Sequence, residues 1–322
     1  MKKLLMIALV LNLVSCSNDT DETSSTQVAE TKPSSFNPNP TPEDYRKANY
    51  PNFMSDLLTM EHAIEGKSNA QRAPWVNTYV PDAAFRAKLI SLGAATDTNT
   101  TDNYVMIDQG RAGLNLTGAG ISNLTGVKAF TSLVQLSVGY NNLTTLDVAG
   151  MTTLGVLECN NNLLTTLNLS TNTNLSQIWC NNNQLTSLTI PSAVNTLWGV
   201  WCYGNQLTTL NLNGNVKITD LFIHSNKLTA LNFSTFSLLK QINCSTNRWT
   251  TLNFDSNPKL TFMYCTGNTL LTDIRIKNGY NPNIINPSFM NNTKAPAIHV
   301  DDLFLPSANT AWPNKGTSSY VL

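Results

Sequence analysis

The sequence has little charge, and neither sign predominates. Its 322 residues include 20 Lys plus Arg and 20 Asp plus Glu, so only 12% are charged and the formal net charge is zero. A protein surface that binds nucleic-acid phosphates needs clustered basic residues. No apolar run reaches the roughly 18 residues that a membrane-spanning helix requires. The composition therefore predicts neither a nucleic-acid partner nor a spanning helix.

The usual signatures of metal and cofactor sites are also missing. No two cysteines stand at CxxC spacing. An Asx-rich stretch contains Asp97, Asn99, Asp102 and Asn103. However, Thr101 and Asp102 occupy the last two positions of the calcium-loop pattern D-x-[DN]-x-[DN]-G. Ordinary Asx turns are the better interpretation, and we predict no metal and no cofactor.

What the sequence does contain is one short phrase that recurs seven times. Its clearest copies read LGVLECNNNLLTTLNL from Leu154 and LSQIWCNNNQLTSLTI from Leu175. One asparagine aligns all copies at a nearly constant interval: Asn141, Asn162, Asn183, Asn205, Asn226, Asn247 and Asn268. A regular repeat of this kind predicts a stack of similar coils.

Each copy can be interpreted physically as one coil. Leu157 and Cys159 are two residues apart, so both point to one side of an extended strand. A single coil cannot bury that side alone, but stacked coils form a parallel sheet over a continuous core. The aligned asparagine both donates and accepts hydrogen bonds, so we expect it to tie each turn to the next coil. The following L-T-x-L-x-L pattern predicts a short extended segment on the far side.

The phrase L-x-x-L-x-(C/V/I)-x-x-N-x-L-T-x-L-x-L resembles the leucine-rich repeat of the bacterial internalin-like class. The resemblance implies a right-handed leucine-rich-repeat solenoid with its parallel β-sheet on the concave face. We expect about 7–8 coils over residues 109–276, each of about 21–22 residues, which is within the length range of this repeat family. The outer side should be short and extended or irregular, and a small helical N-terminal cap should precede the coils.

Five cysteines occupy one inward strand position of the repeat: Cys159, Cys180, Cys202, Cys244 and Cys265. The same position holds Val138 and Ile223 in the other two copies. Cysteine that interchanges with Val and Ile behaves as a small hydrophobe. We therefore predict buried, reduced thiols.

The beginning of the chain has the pattern of a secretory leader. Two lysines precede an apolar stretch that is too short to span a membrane. The sequence Leu13-Val14-Ser15-Cys16 resembles the lipobox of bacterial lipoproteins. That resemblance implies a signal peptide over residues 1–15, lipid attachment at Cys16, and an outer-membrane lipoprotein that faces the cell surface.

Residues 16–40 are rich in Ser, Thr, Asn and Pro and predict a flexible linker. Its acidic run at 19–22 is either an export signal for surface lipoproteins or a solvated stretch that happens to be acidic. Residues 41–108 predict a helical N-terminal segment and cap, with one helical face formed by Phe53, Leu57, Met60 and Ile64. Trp75 to Gly93 resembles the N-terminal cap of the internalin-like class. Residues 277–322, which include Trp312, resemble its C-terminal cap.

The outward positions of the strands carry many aromatic residues. Four of the seven residues in the middle outward column are aromatic, against 8% of the whole chain. The predicted ligand-binding patch on the concave face consists of Trp179, Trp201, Tyr203, Phe222, His224, Phe262 and Tyr264. The enrichment is local to a few coils, which favours a binding platform. The alternative is that neighbouring rings merely stabilise the sheet.

The same columns offer no convincing catalytic group. Glu158 and Asp220 belong to coils three apart, roughly 14 Å at the usual strand spacing, which is too far for glycoside hydrolysis. His224 and Ser245 come from adjacent coils, but no acid is placed to orient the histidine. A plain His–Ser hydrogen bond is the better interpretation, and we predict no catalytic residue and no enzyme.

The sequence thus predicts a lipid-anchored cell-surface protein that binds a protein or glycan ligand on its concave face. A structural cell-envelope protein without a specific soluble ligand is the alternative.

Overall fold

A computed structural model describes residues 39–41, 75–97, 99, 101–192, 195–212, 214–279, 284, 287–301 and 318–321. The predicted signal peptide, Cys16, most of the linker, the helical face around Phe53, and Trp312 lie outside the described residues.

The centre of the fold is an eight-stranded parallel sheet to which each coil contributes one short strand. The strands are β4 Gly113–Asn115, β5 Gln135–Ser137, β6 Val156–Glu158, β8 Gln177–Trp179, β10 Gly199–Trp201, β11 Asp220–Phe222, β12 Gln241–Asn243 and β14 Phe262–Tyr264. Neighbouring strands pair without slippage, so Ile178, Val200 and Leu221 lie side by side. A further bridge between Tyr264 and Ser288 adds another turn. The fold is a leucine-rich-repeat solenoid of about nine turns, somewhat more than the predicted 7–8.

The outer side of the solenoid is extended and contains little helix, as predicted. Two small parallel sheets run along it: β7 Thr166–Asn168 with β9 Ser187–Thr189, and β13 Thr251–Asn253 with β15 Asp273–Arg275, β16 Ala297–His299 and β17 Ser319–Val321. Short 3-10 turns occur at Val127–Ala129 and Phe233–Thr235. Because β16 and β17 pair in parallel with this sheet, the solenoid continues into the range predicted to be the C-terminal cap.

Among the described residues, one helix and three strands cover the N-terminal end of the solenoid. Helix α1 (Ala83–Ser91) lies between β1 (Trp75–Tyr79) and β2 (Ala95–Thr96), and β3 (Tyr104–Asp108) pairs with both strands in an antiparallel sheet. The helix was predicted, but the sheet was not. β3 supplies the backbone partners of both flanking strands. The part of the predicted helical segment that precedes Trp75 lies almost entirely outside the described residues.

Asp82 connects helix α1 to the first coil through hydrogen bonds. One carboxylate oxygen accepts from the Phe85 N–H at 2.9 Å, as an N-cap residue does. The other accepts from the Ser122 N–H and hydroxyl and from the Asn123 N–H. Partial burial raises the pKa of Asp82, but these hydrogen bonds outweigh it and hold the pKa below its usual value.

The asparagine column connects the coils through buried hydrogen bonds. The Asn183 Nδ2 donates to Cys180 O at 3.1 Å in its own coil and to Cys159 O at 3.0 Å in the preceding coil. Its Oδ1 accepts from the Leu164 N–H at 3.0 Å. The contacts run to the preceding coil, whereas the sequence argument expected the next one. Asn292 makes the equivalent contacts to Cys265 and Phe289. The sequence analysis did not assign it to the column, because its spacing from Asn268 is longer than that of the other copies.

The five repeat thiols are free and lie in the same core as the leucines, with no exposed surface. Burial raises the pKa of Cys202 to about 12, because a thiolate would be poorly solvated in the core. Burial also raises the pKa of Cys159, Cys180 and Cys265. The Sγ atoms of Cys244 and Cys265 are 3.3 Å apart. These thiols fill space between coils.

Candidate functional site

An aromatic cluster lies on the concave side of the sheet, separate from the solenoid core. Its members are Trp179, Trp198, Trp201, Tyr203 and Phe222. The Trp179 and Trp201 rings are parallel with centroids 3.7 Å apart, and Phe222 follows at 6.0 Å from Trp201. Trp198 meets Trp201 edge-on at 5.8 Å. The rings thus form a continuous ladder across three strands.

The prediction that Trp179, Trp201 and Phe222 form an accessible platform is wrong. Trp179, Trp201 and Phe222 are 0% exposed, and Tyr203 is only 7% exposed. The in-register strands place equivalent rings close enough to stack. Gly199 gives the Trp201 ring room, since a Cβ there would come within 2.3 Å of the ring. Phe262 and Tyr264 lie on β14, two strands beyond β11, and are half-buried.

A polar groove lies beside the aromatic cluster, where the strands lead into the turns. It encloses about 280 Å³. Its walls are formed by Tyr140, Asn160, Asn161, Asn181, Asn182, Tyr203, Gly204, His224 and Ser225, together with Asn39 and Thr41. None of these residues is Asp, Glu, Lys or Arg. Amides, hydroxyls and aromatic rings therefore define the chemistry of this polar groove.

One wall of the groove consists of residues that the sequence analysis missed. The residue just before the column asparagine is left-handed in successive coils, with φ of 55° at Tyr140, 53° at Asn161 and 52° at Asn182. This conformation turns the chain away from the strand, and it favours Asn and Gly. Gly204 and Gly267 occupy the same position in two other coils. These glycines were the sequence feature from which the left-handed turn could have been predicted. Tyr140 is 53% exposed there.

Tyr203 and His224 form a second stacked pair in the groove, with centroids 4.3 Å apart. Burial raises the pKa of Tyr203 to about 12, with a smaller contribution from Tyr140, and lowers the pKa of His224 to about 4. Both side chains are therefore neutral near pH 7. The predicted hydrogen bond between His224 and Ser245 is wrong. The His224 Nε2 contacts Asn39 Oδ1 at 2.5 Å, and Nδ1 has no partner among the residues that the structure describes.

A segment from the N-terminal part of the chain, Asn39–Thr41, lies in this groove. Besides the Asn39 contact to His224, the Tyr203 hydroxyl donates to Pro40 O at 3.3 Å. Pro40 is buried, whereas Asn39 is exposed. Residues far apart in the sequence are thus brought together.

Two buried acceptors of the groove lack a donor among the described residues. They are Asn181 Oδ1 and His224 Nδ1, on side chains that are 2% and 7% exposed. Asn181 also hydrogen-bonds Tyr203 through its side chain. A buried acceptor without a partner is unfavourable by roughly 1–3 kcal/mol. The groove is therefore suited to a ligand that brings N–H or O–H donors.

Other candidate chemistry is not assembled in the described part of the chain. No group of three or more His, Cys, Asp or Glu side chains comes together there in a way that could hold a metal ion. In the Asx-rich stretch, Asp97 accepts from the Asn99 N–H and Asp102 from the Tyr104 N–H, as ordinary Asx turns do. No helix among the described residues is long and apolar enough to cross a membrane.

Fold and groove together define a leucine-rich-repeat solenoid with a neutral, amide-lined concave site. Known structures of bacterial leucine-rich-repeat proteins share the fold. Internalin C2 of Listeria monocytogenes is 22% identical over 65% of this chain and 93% of that one, with a TM-score of 0.50. A leucine-rich-repeat protein of Leptospira interrogans is 19% identical over 66% of this chain and 55% of that one, with a TM-score of 0.51.

The functional domain of InlJ from Listeria monocytogenes, described as including a cysteine ladder, is 23% identical over 78% of this chain and 62% of that one, with a TM-score of 0.48. The match thus spans less than two thirds of the InlJ and Leptospira chains. No protein-family model and no curated protein matches the sequence.

Proposed function

We propose that this protein is a non-enzymatic binding protein that presents the concave polar groove to an external protein or glycan ligand. The observation that supports this most is the pair of buried acceptors, Asn181 Oδ1 and His224 Nδ1, in a groove without a charged wall residue. Solenoids generally use extended concave surfaces of this kind for binding. Neutral amides, hydroxyls and rings recognise neutral ligands by hydrogen bonding and stacking.

The binding role of the aromatic residues is revised accordingly. Tyr203 and His224 line the groove, while Trp179, Trp201 and Phe222 belong to the buried aromatic cluster and do not line it. Tyr140 replaces the tryptophans as the exposed ring at the site. A partly exposed ring beside polar atoms is a typical anchor for a ligand.

The test of this proposal is a ligand search followed by one substitution. A glycan array and affinity capture from host and community extracts provide the ligand. We expect Tyr140→Asn to weaken its binding at least about tenfold, because truncating an anchor ring typically costs about 2 kcal/mol. Asn occupies the equivalent left-handed position in the next two coils, at Asn161 and Asn182, so the turn should keep its shape.

Two measurements serve as controls for Tyr140→Asn. Its melting temperature should match that of the parent chain. Thr209→Ala, an exposed change on the outer side, should leave ligand binding unaltered. If no ligand is found, or if Tyr140→Asn binds as the parent does, the groove is not the binding site. The structural-envelope interpretation would then be favoured.

We further propose that the protein is attached to the outer membrane through a lipid on Cys16 and faces the cell surface. The lipobox-like Leu13-Val14-Ser15-Cys16 supports this. We expect the parent chain to partition with outer membranes and Cys16→Ala to be released or left unprocessed. Equal membrane association of the two would exclude a lipid anchor at this residue. Protease treatment of intact cells tests the orientation, and complete protection would indicate a periplasmic location.

A further inference from the structure

The Asn39–Thr41 segment pairs with two donors of the polar groove but leaves two of its acceptors without a partner. The two donors are the His224 Nε2–H and the Tyr203 hydroxyl, which pair with Asn39 Oδ1 and Pro40 O. Neutral histidine that donates from Nε2 has an acceptor at Nδ1. This Nδ1 and Asn181 Oδ1 remain without a donor among the described residues. The segment therefore occupies the groove without completing its hydrogen bonding.

The sequence of the segment explains this incomplete match. Residues 37–42 read Asn-Pro-Asn-Pro-Thr-Pro. Proline has no backbone N–H, so Pro40 has no main-chain donor to offer at the place where it is buried. Alternating prolines also favour an extended backbone, which crosses a concave sheet without needing secondary-structure partners of its own.

We propose that the Asn39–Thr41 segment is a built-in occupant of the polar groove, and that the external ligand is an extended, neutral polypeptide segment that displaces it. This inference rests on the proposed binding function and specifies its ligand class and regulation. A peptide is favoured over a glycan because the groove already holds a peptide through one backbone carbonyl and one side-chain amide. A ligand with an ordinary residue in place of Pro40 would bring the missing N–H.

Covalent connection makes the built-in occupant a strong competitor. A tethered segment acts at an effective concentration in the millimolar range, so an external peptide must overcome it. Weakening the segment without changing the groove should therefore strengthen binding of an external peptide. Asn39 is suitable for this change, because its side chain contacts His224 while the residue itself is exposed.

The test uses the full chain and two labelled heptapeptides in fluorescence anisotropy. One peptide has the sequence of residues 36–42, and the other has alanine in place of Pro40. We expect Asn39→Ala to bind either peptide about three- to tenfold more tightly than the parent chain does, as loss of one hydrogen bond in the competitor implies. The alanine peptide should bind more tightly than the proline peptide, by a similar factor.

Thr209→Ala is the matched control and should behave as the parent chain. Equal peptide affinity in the parent and Asn39→Ala chains would overturn the proposal. Binding of a neutral oligosaccharide such as chitotriose, without binding of either peptide, would overturn the choice of a peptide ligand.

These outcomes are separable from failure of the proposed function. If Tyr140→Asn weakens binding of a captured ligand but Asn39→Ala leaves it unchanged, the groove binds its ligand without competition from the Asn39–Thr41 segment. Only this inference then fails. If no ligand responds to either change, the binding function of the groove fails as well.

Discussion

Replacing Trp201 by alanine should lower the free energy of unfolding by roughly 3–5 kcal/mol, as large-to-small changes at buried tryptophans do. The Trp201 ring is 0% exposed and lies between Trp179 and Phe222, with Trp198 against its edge. Removing it leaves a cavity next to three other rings. The loss should appear as a lower urea midpoint with far-ultraviolet circular dichroism unchanged before the transition.

Leu163→Ala is the matched control for this change. Leu163 belongs to the same region of the solenoid but is 44% exposed. Surface substitutions of this kind usually stay within about 0.5 kcal/mol. A loss below about 1 kcal/mol for Trp201→Ala would mean that the ring is solvated, as the sequence pattern alone had suggested. The aromatic column would then again be a candidate platform.

Replacing Asn183 by alanine should lower the free energy of unfolding by roughly 2–4 kcal/mol, through loss of buried hydrogen bonds and a small cavity. The Leu164 N–H loses its acceptor in a place that water does not reach. The carbonyls are less affected, because Cys159 O also accepts from Asn162 and Cys180 O also accepts from Asn205. The Leu164 N–H left without an acceptor is therefore the main cause of the expected loss of stability.

An aspartate variant tests that assignment further. Asn183→Asp keeps an acceptor for the Leu164 N–H, but it places a carboxylate against the carbonyl oxygens of Cys159 and Cys180. A buried charge beside acceptors is unfavourable, so we expect this variant to be no more stable than Asn183→Ala. Thr165→Ala, an exposed change in the preceding coil, is the control and should have little effect. Urea denaturation of the four chains gives the comparison. Parent-like stability of Asn183→Ala would show that the column does not hold the coils together.

Much of the fold could be predicted because the repeat makes the sequence redundant. Seven copies at a nearly constant spacing fix the strand position, the inward face and the asparagine turn without any knowledge of distant contacts. The same repetition predicted that Cys159 and its equivalents point inward. The prediction from the repeat was incomplete where the spacing changed. Asn292 follows Asn268 at a longer interval than the other copies show, so it was not recognised as a member of the asparagine column.

The candidate site depended on contacts that no repeat pattern contains. Alternation along a strand shows which side a residue faces, but not whether that side meets solvent. Trp179 and Trp201 face away from the solenoid core and are nevertheless buried, and their rings stack on one another.

The sequence by itself determined the solenoid, its inward positions and its neutral surface, since these follow from local periodicity and composition. Only the tertiary structure decided where the groove lies and what occupies it. Asn39 and Pro40 meet His224 and Tyr203 from a distant part of the chain. A contact between a non-repetitive segment and two coils cannot be predicted from the repeat pattern. It depends on the distances and angles between hydrogen-bonding groups in three dimensions.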